Sequence, residues 1–432
     1  MTTLTRKRQH SVIITAFSFA ILAAFTGTAL GAQRTIEYIY LAGIEASEQA
    51  TAAITAAFEA ENPDIRVDRI RVQSNYRDRV VALIAAGTVP DVLNIDMNDI
   101  MSFGDERFLH DLTPLVQKTP GFQVQRLAPP ILDTYMVDGK LFAAPNLANP
   151  SVYVFNTDLF DQAGLGYPTE LYRKDAWTWS AFRDIAKKLT RKESDGRFAV
   201  KGASIHLPRT WLFANGGSEF DDTKRPTKTF YDGELGLQTV QFLQSMMWED
   251  DAAAIYGSLA SQIGANDVKG FAQGKVGMAS RWFSSVPDFC QVASNVGLVP
   301  YPKGPGPQGR YTTDLGMFGM AISKQTRDLD AAWRFVSYLA GPSGAAFAAK
   351  QPGRTPPRPI LVTWLPQSVI NPEIYPDLLV AGTSRVVSIN RLDLQRVIDS
   401  ELAAVWRNTV EPKTAVSEIA RLIGAFLKDN PQ

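Results

Sequence analysis

The sequence predicts an α/β fold, and two observations support this prediction. First, apolar runs of strand length alternate along residues 35–95 with segments whose apolar residues recur at helical spacing. This succession is typical of a sheet whose strands are connected by crossover helices. Second, the chain has 432 residues, of which 45% are hydrophobic. That length is sufficient for two or three domains with a large buried core.

The first five elements follow one another regularly. Ile54, Ala57 and Phe58 recur at helical spacing, and Asn62 with Pro63 ends that helix. The next run alternates apolar and charged residues, which is typical of a half-buried strand. The predicted elements are a strand at 35–41, a helix at 46–61, a strand at 65–72, a helix at 76–86 closed by Gly87, and a strand at 92–95.

The rest of the chain is predicted to be more helical. Trp333, Val336 and Leu339 recur at helical spacing and predict a helix over 331–339. Further helices are predicted at 179–189, at 235–248 and over most of 397–427, and strands at 274–279 and 296–299.

The N-terminus has the three parts of a secretory signal peptide. Arg6, Lys7 and Arg8 form a basic head, and residues 12–30 carry no charge. Small residues stand at Ala29 and Gly31, where a signal peptidase reads the chain. The alternative is a transmembrane anchor, because an apolar run of this length can span a bilayer. We predict a cleaved signal peptide at 1–31.

A single cysteine limits the chemistry available outside the cytoplasm. Cys290 has no second thiol with which to form an internal disulfide. No cysteine lies near the predicted cleavage site, so a lipid anchor is not expected there. The sequence therefore predicts a protein that is free in the periplasm rather than a lipoprotein.

Few residues indicate catalysis or a cofactor. The chain has three histidines, of which His110 and His206 lie in the mature part and stand alone. No metal-ligand cluster and no nucleophile elbow is present. The Gly-x-Gly-x-x-Gly match in 304–309 contains two prolines and is not followed by a helix, so it predicts a loop rather than a dinucleotide site. We expect no enzyme activity, no metal and no cofactor.

Charge and carboxylate spacing leave one alternative function open. The chain has 44 basic and 44 acidic residues, and this balance gives no indication of a nucleic-acid partner. Asp96 with Asp99 is one of several carboxylate pairs, and a glycoside hydrolase needs two carboxylates that face each other across a bond. Spacing alone cannot establish such a pair, so an exported glycoside hydrolase remains the alternative.

Two tryptophans have polar surroundings in the sequence. Trp211 is followed by Asn215, Gly216 and Gly217, and Trp282 lies among serines and Arg281. An aromatic ring beside planar polar groups suits a carbohydrate pocket. The same pattern fits a tryptophan in the core, and the sequence does not decide between the two.

Several segments, in a shared order, resemble a known family. They include Ala85-Ala86-Gly87-Thr88-Val89-Pro90-Asp91-Val92, Leu109-His110-Asp111-Leu112-Thr113-Pro114-Leu115, Asp138-Gly139-Lys140-Leu141-Phe142-Ala143-Ala144-Pro145 and Phe271-Ala272-Gln273-Gly274-Lys275-Val276-Gly277-Met278. In these segments the chain resembles the extracellular solute-binding proteins of ABC importers, family 1. Phe155-Asn156 departs from a Tyr-Asn pair that is frequent in the family.

The resemblance implies a two-lobed periplasmic-binding-protein fold with mixed sheets flanked by helices and a ligand cleft between the lobes. Lobe one would comprise 32–147 and 300–345, and lobe two 148–299 and 346–432. The partners it implies are an ABC permease with a cytoplasmic ATPase, and we expect a monomer. The implied ligand is a sugar, oligosaccharide or polyol, while the arginines leave open an acidic sugar or a sugar phosphate.

Eight residues are candidates for ligand contact in the implied cleft. Rings would stack on the ligand, carboxylates would accept hydrogen bonds from hydroxyl groups, and arginines would donate. The candidates are Glu45, Asp96, Trp211, Asn215, Arg281, Trp282, Asp314 and Arg354.

Overall fold

The computed structural model describes residues 33–42, 45–255, 257–293, 295–383 and 387–430, and the side chains of 45–47 are not among the described parts. The predicted signal peptide at 1–31 lies outside these residues. Among the described residues, no helix combines the length and the apolar character that crossing a membrane requires.

The strands, in chain order, are β1 (Arg34–Leu41), β2 (Ile65–Val72), β3 (Val92–Asp96), β4 (Met136–Val137), β5 (Lys140–Leu141), β6 (Ala144–Asn156), β7 (Arg191–Lys192), β8 (Phe198–Ile205), β9 (Ala253–Ile255), β10 (Val276–Trp282), β11 (Val296–Val299), β12 (Thr313–Ile322) and β13 (Gly382–Thr383).

The α-helices are α1 (Glu45–Glu61), α2 (Tyr76–Ala86), α3 (Ile100–Phe103), α4 (Thr113–Gln117), α5 (Pro129–Thr134), α6 (Thr157–Gln162), α7 (Pro168–Arg173), α8 (Trp179–Leu189), α9 (Pro208–Ala214), α10 (Glu234–Trp248), α11 (Leu259–Ile263), α12 (Asp267–Ala272), α13 (Val286–Val292), α14 (Leu329–Ala340), α15 (Pro342–Ala348), α16 (Tyr375–Val380), α17 (Arg391–Trp406) and α18 (Pro412–Asp429). Short 3-10 helices occupy Met97–Asp99, Pro120–Phe122, Val124–Arg126, Phe283–Ser285 and Pro372–Ile374.

Two long strands connect the halves of the molecule. The sheet order is β2-β1-β3-β12-β6-β10-β8-β7, with β13 beside β12, β11 beside β6 and β9 beside β8. The first half of β6 pairs with β12, up to Leu315 opposite Pro150. From Ser151 onward β6 pairs with β10 instead. The chain therefore passes from one lobe to the other along β6 and β12.

The first lobe forms from the regular elements that the sequence predicts. Strand β1 pairs in parallel with both β2 and β3, and Ile36 and Ile39 are fully buried. Helix α2 ends at Gly87, whose φ of 68° is the left-handed conformation that glycine adopts without strain. A parallel sheet with crossover helices results, as predicted.

The second lobe has an aromatic core on one face of its sheet. Thr178 caps α8 by accepting a hydrogen bond from the backbone N–H of Ala181 at 3.3 Å. The buried residues of α8, among them Phe182 and Ile185, recur at helical spacing. Phe182 contacts Trp211 and Tyr153, with ring centroids 4.9 and 5.0 Å away. This cluster supports the strands whose ends form the candidate site.

The predicted elements agree with the structure to within a few residues, with one clear difference. The helical region predicted at 397–427 is two helices, α17 and α18, which pack on α10. Residues 303–310 form a loop, as predicted, and Gly304 and Arg310 donate backbone hydrogen bonds to the carbonyl of Ala214. The residue bounds of the two lobes stay a prediction.

Candidate functional site

A cavity of about 470 Å³ lies where the parallel strands β8 and β9 end. The carboxyl ends of parallel strands are a common position for ligand sites in α/β proteins. Its lining combines charged, amide, hydroxyl and aromatic groups. The lining residues are His206, Leu207, Pro208, Arg209, Glu219, Tyr231, Ile255, Arg391, Gln395, Ile398, Asp399, Leu402 and Trp406.

Two helices contribute to the wall of this cavity. Helix α9 begins at Pro208, after the two residues that follow the end of β8, and proline suits the first turn of a helix. Helix α17 packs through buried residues such as Leu394. Arg391, Gln395 and Asp399 follow one another at intervals of four, so they share one helix face, and all three line the cavity.

Arg209 of α9 forms hydrogen bonds both with α17 and with the crossing strand β12. Its Nε donates to Oδ2 of Asp314 at 2.9 Å, and its Nη1 donates to Oε1 of Gln395 at 2.7 Å. Gln395 in turn donates from Nε2 to Oδ1 of Asp399 at 2.8 Å. Burial alone would lower the pKa of Arg209, but the charges of Asp314 and Glu219 outweigh it and the pKa is raised. The guanidinium group of Arg209 therefore stays charged.

His206 is held in the neutral form at the cavity. Its backbone N–H donates to Oγ of Ser280 at 2.7 Å. Burial, together with the charges of Arg281 and Arg209, lowers the pKa of His206 to about 4. At neutral pH its imidazole can act as a hydrogen-bonding group without adding charge to the cavity.

Two carboxylates of the first lobe lie near the α17 wall. Asp96 accepts a hydrogen bond from the backbone N–H of Asn98 at 2.8 Å, and Arg77 lies 3.2 Å from Asp99. Burial raises the pKa of Asp99 to about 6, while the charges of Arg77 and Arg391 oppose this rise. Asp99 ends the 3-10 helix that follows β3, and the charge that opposes the rise in its pKa from α17 belongs to Arg391, a lining residue of the cavity.

The end of β10 lies against the strand crossing. Arg281 forms an ion pair with Asp267, which is buried. A Cβ atom added to Gly316 would lie 3.6 Å from the ring of Trp282. The ring of Trp282 therefore sits beside β12 where it passes between the lobes.

Of the predicted contacts whose side chains the structure describes, none is among the residues that line this cavity, and their contact with a ligand stays a prediction. Asp314 is joined to the cavity wall through Arg209 at 2.9 Å, and Arg281 follows Ser280, which accepts from the backbone N–H of His206 at 2.7 Å. Among the described residues, no group of three or more histidine, cysteine or acidic side chains is arranged to hold a metal ion.

Trp211 and Asn215 require correction as candidate ligand contacts. Trp211 is 0% exposed and is enclosed by aromatic rings, with Phe182 at 4.9 Å and Trp179 at 5.7 Å. Such a ring has no free face for a sugar. Asn215 is also fully buried, donates to Gln238 and accepts from the backbone N–H of Gly306. Both residues therefore contribute to internal packing and hydrogen bonding rather than to the surface of the cavity.

Arg354 and Glu45 are placed differently from the junction residues. Arg354 donates from Nη2 to Oγ1 of Thr51 at 3.1 Å and lines a separate cavity of about 30 Å³ beside Tyr38. That small cavity lies in the first lobe. Glu45 begins α1, and its side chain lies outside the described parts of the chain.

Sequence reasoning named none of the residues that line the cavity as a ligand contact. Arg209 directly follows Pro208 after β8, so its position at a strand end could have marked it. Gln395, Asp399 and Trp406 gave no comparable signal, because they lie on a helix nearly 200 residues further along. Their approach to Arg209 is visible only in the folded chain.

Comparison with known proteins identifies the family. The family model of the bacterial extracellular solute-binding proteins matches residues 43–346. The chain belongs to this family. Members of the family bind small molecules and act in the periplasm or outside the cell, and this protein is a solute-binding protein of that kind.

Curated relatives of this solute-binding protein carry different ligand names. A probable amino-acid ABC transporter periplasmic-binding protein, y4oP from Sinorhizobium fredii, is 24% identical over 317 residues, which are 68% of each chain. A mannitol-binding protein from Pseudomonas aeruginosa is 28% identical over 182 residues, or 40% of this chain. The matched part spans only 39% of the mannitol-binding protein's own length.

Solved structures establish the fold. The ABC substrate-binding protein Lmo0181 from Listeria monocytogenes, in complex with cycloalternan, has a TM-score of 0.73 and 20% identity, with 92% of this chain and 99% of that chain covered. The sugar-binding protein MalE from Xanthomonas citri has a TM-score of 0.75 and 21% identity, with 91% and 98% covered. The predicted two-lobed α/β fold is confirmed.

Proposed function

We propose that this protein is the periplasmic substrate-binding component of an ABC importer for a neutral sugar, oligosaccharide or polyol. The observation that carries the proposal is the pairing of charges at the cavity. The lining holds two arginines, Arg209 and Arg391, and two acidic residues, Glu219 and Asp399. Arg209 is in addition paired with the buried Asp314. An arginine already paired with a carboxylate adds little net charge for an anionic ligand. This pairing favours a neutral ligand over an acidic sugar or a sugar phosphate.

The remaining lining suits hydroxyl groups. Gln395 and Asp399 supply an amide and a carboxylate on one helix face, and Glu219 accepts a hydrogen bond from the hydroxyl of Tyr231 at 3.0 Å. Trp406 adds an aromatic surface. Sugars and polyols need such a combination, because they present apolar C–H faces beside groups that both donate and accept hydrogen bonds.

Ligand capture would follow from the way the lobes are joined. Strands β6 and β12 cross between them, and the cavity of the second lobe lies near Asp96 and Asp99 of the first. A ligand that contacts both sides binds the closed form more tightly than the open form and so draws the lobes together. This mechanism makes and breaks no covalent bond, and we propose that the protein is not an enzyme.

The transport role defines the remaining parts of the proposal. The closed form would dock on a membrane permease with a cytoplasmic ATPase, and the protein would act as a monomer. Residues 1–31 would be removed on export, and the mature protein would carry no lipid. Mass spectrometry of the exported protein tests this last point: an unmodified N-terminus near Ala32 is expected, and a lipid-modified or uncleaved N-terminus contradicts it.

A thermal-shift screen of the mature chain tests the ligand class. A ligand at one hundred times its dissociation constant stabilises the folded protein by about 2.7 kcal/mol. We expect sugars or polyols to raise the melting temperature, and sugar phosphates and amino acids not to. A rise with amino acids alone would overturn the sugar proposal. A rise with sugar phosphates alone would overturn the proposed neutrality.

The same screen supplies the assay for the alternative enzyme function. The strongest ligand is incubated with the protein and then analysed by chromatography. We expect the ligand to be recovered intact. Cleavage products that increase with protein concentration would instead indicate a glycoside hydrolase.

A further inference from the structure

We infer that Arg209 determines ligand specificity by holding Gln395 and Asp399 in a fixed hydrogen-bond chain. This chain would form hydrogen bonds with two neighbouring hydroxyl groups of the ligand. The inference rests on the proposed function, because it concerns the same cavity and a polyhydroxyl ligand. It assigns a role to three residues that the sequence alone did not mark.

The first step is the geometry of the guanidinium group. Arginine carries five N–H donors in a rigid plane. Two of the five are engaged here, Nε with Asp314 at 2.9 Å and Nη1 with Gln395 at 2.7 Å. The Arg209 side chain lines the cavity and is 13% exposed. Arg209 therefore has further donors for a ligand oxygen, in a plane that the two bonds hold in place.

The second step is the orientation of the Gln395 amide. Arg209 can only donate hydrogen bonds, and an ionised Asp399 can only accept them. Oε1 of Gln395 therefore faces Arg209, and Nε2 faces Asp399 at 2.8 Å. A reversed amide would place donor against donor and acceptor against acceptor. The chain thus has one polarity, with donors at the Arg209 end and an acceptor at the Asp399 end.

The third step is the anchor of this chain. Asp314 is 0% exposed and lies on β12, next to Leu315, which pairs with Pro150 on β6. Both strands pass between the lobes at this point. The hydrogen-bond chain consequently begins on the crossing strand and ends on the exposed face of α17. Its position is set by the fold rather than by two mobile surface side chains.

A fixed polarity has a consequence for the ligand. One hydroxyl group must accept from Arg209 while its neighbour donates to Asp399. Inverting one carbon of the ligand redirects one of these hydroxyl groups and leaves a donor or an acceptor of the wall unmatched. The discrimination is expected mainly at the Arg209 end, where the side chain is 13% exposed, because a largely buried donor left without a partner is costly, whereas water can hydrate the exposed Asp399.

Isothermal titration calorimetry on the mature chain tests the inference with stereoisomer pairs. The probes are D-mannitol with D-glucitol, maltose with cellobiose, and D-glucose with D-galactose. The variants are Arg209→Lys, which keeps the positive charge but loses the planar set of N–H donors, and Gln395→Glu, whose carboxylate cannot donate to Asp399. Arg421→Lys is the matched control, because Arg421 pairs with Glu418 on an exposed face of α18.

We expect wild type to prefer one member of a pair at least tenfold. Both cavity variants should weaken binding of the preferred member about tenfold or more and change the other member less than about threefold, so the selectivity ratio falls. Arg421→Lys should leave the ratio unchanged. If circular dichroism shows that Arg209→Lys does not fold, the selectivity ratio of Gln395→Glu alone tests the inference.

The other outcomes are distinguishable. An equal loss for both members of the pair would make Arg209 a merely structural residue and overturn the inference while the proposed function stands. Wild-type binding without preference within any pair would overturn it as well. Absence of binding to all six probes would contradict the proposed function and the inference together.

Discussion

Helix α9 contains two residues, Arg209 and Trp211, that lie two positions apart in contrasting surroundings. Arg209 lines the cavity and pairs with Asp314 and Gln395. Trp211 faces the opposite way, is fully buried and contacts the rings of Phe182 and other aromatic residues. One short helix therefore separates the cavity wall from the aromatic core of the second lobe.

The comparison shows which property distinguishes a wall from a core. Polar neighbours in the sequence did not do so, since Trp211 has them and is nevertheless enclosed. The contacts of the side chain in the folded protein distinguish the two. Trp211 packs against aromatic rings, whereas Arg209 pairs with an acid and an amide and stays partly exposed. Substitutions in the core should therefore change stability, and substitutions in the wall should change binding.

The largest effect on stability is expected at the centre of the core. Trp211→Ala removes a buried indole among rigid neighbours and leaves a cavity, so we expect a loss of about 3–5 kcal/mol in the free energy of unfolding. Ligand affinity of the folded protein should change less than about threefold. Urea denaturation and calorimetry measure the two quantities.

Trp282→Ala is the matched substitution at the strand crossing. Trp282 is only partly buried, so its removal should cost less stability and more affinity than removal of Trp211. The reverse order would contradict the assignment of Trp211 to the core and of Trp282 to the junction.

The stability of the protein should also depend on pH through two groups near the cavity, His206 and Asp99, whose effects run in opposite directions. Burial lowers the pKa of His206 from its ordinary value of 6.5 to about 4. Between these pH values the unfolded chain binds a proton that the folded protein does not, so the free energy of unfolding decreases as the pH falls from 6.5 toward 4. Burial raises the pKa of Asp99 from its ordinary value of 3.8 to about 6. Between these pH values the folded protein binds a proton that the unfolded chain does not, so the free energy of unfolding decreases as the pH rises from 3.8 through 6. Each change corresponds to about 3 kcal/mol at most.

Difference profiles separate these two contributions. Relative to wild type, His206→Gln should gain stability as the pH falls from 6.5 to 4, and Asp99→Asn should lose stability between pH 6 and 4. Trp211→Phe, a core control, should shift the stability equally at every pH. Urea midpoints between pH 4 and 7 provide the measurement, and parallel profiles for all three variants would contradict the assignments.

The sequence predicts the fold well because its signals are local. Gly87 ends α2 through its own backbone conformation, and the apolar spacing of α8 lies within eleven residues. The region predicted as mostly helical at 397–427 is helical in α17 and α18, but the helical spacing on both sides did not locate the interruption between them. Local chemistry is sufficient for the regular elements of the first lobe, whereas the crossing strands β6 and β12 and the strand β8 were not predicted from the sequence.

The lining of the cavity depends on long-range contacts, and the sequence did not predict it. Asp314 and Trp282 lie beside the cavity rather than in its lining, and their contact with a ligand stays a prediction. Gln395 lies 186 positions from Arg209, and its role depends on the packing of α17 against the second lobe. Periodicity places Gln395 on a helix but cannot place that helix over the cavity.

A smaller effect is expected where the chain departs from the family pattern. Phe155 is fully buried, and a Cβ atom on Gly297 would lie 2.0 Å from the ring carbon that would bear a tyrosine hydroxyl. Phe155→Tyr should therefore cost about 1–3 kcal/mol through overpacking, with ligand affinity unchanged. Unaltered urea stability together with altered affinity would place Phe155 at the ligand rather than in the core.

The smallest change in stability is expected at the aromatic residue of the wall. Trp406 lines the cavity and is partly buried against the cores of the second lobe. Trp406→Phe keeps a ring at this position, so it should cost about 1 kcal/mol or less of stability and weaken the strongest sugar ligand about 3- to 10-fold. Trp248→Phe is the control, because Trp248 is 52% exposed and does not line the cavity. Equal losses of affinity in both variants would show that the indole of Trp406 does not contact the ligand, and the distinction between wall and core would then depend on its charged residues alone.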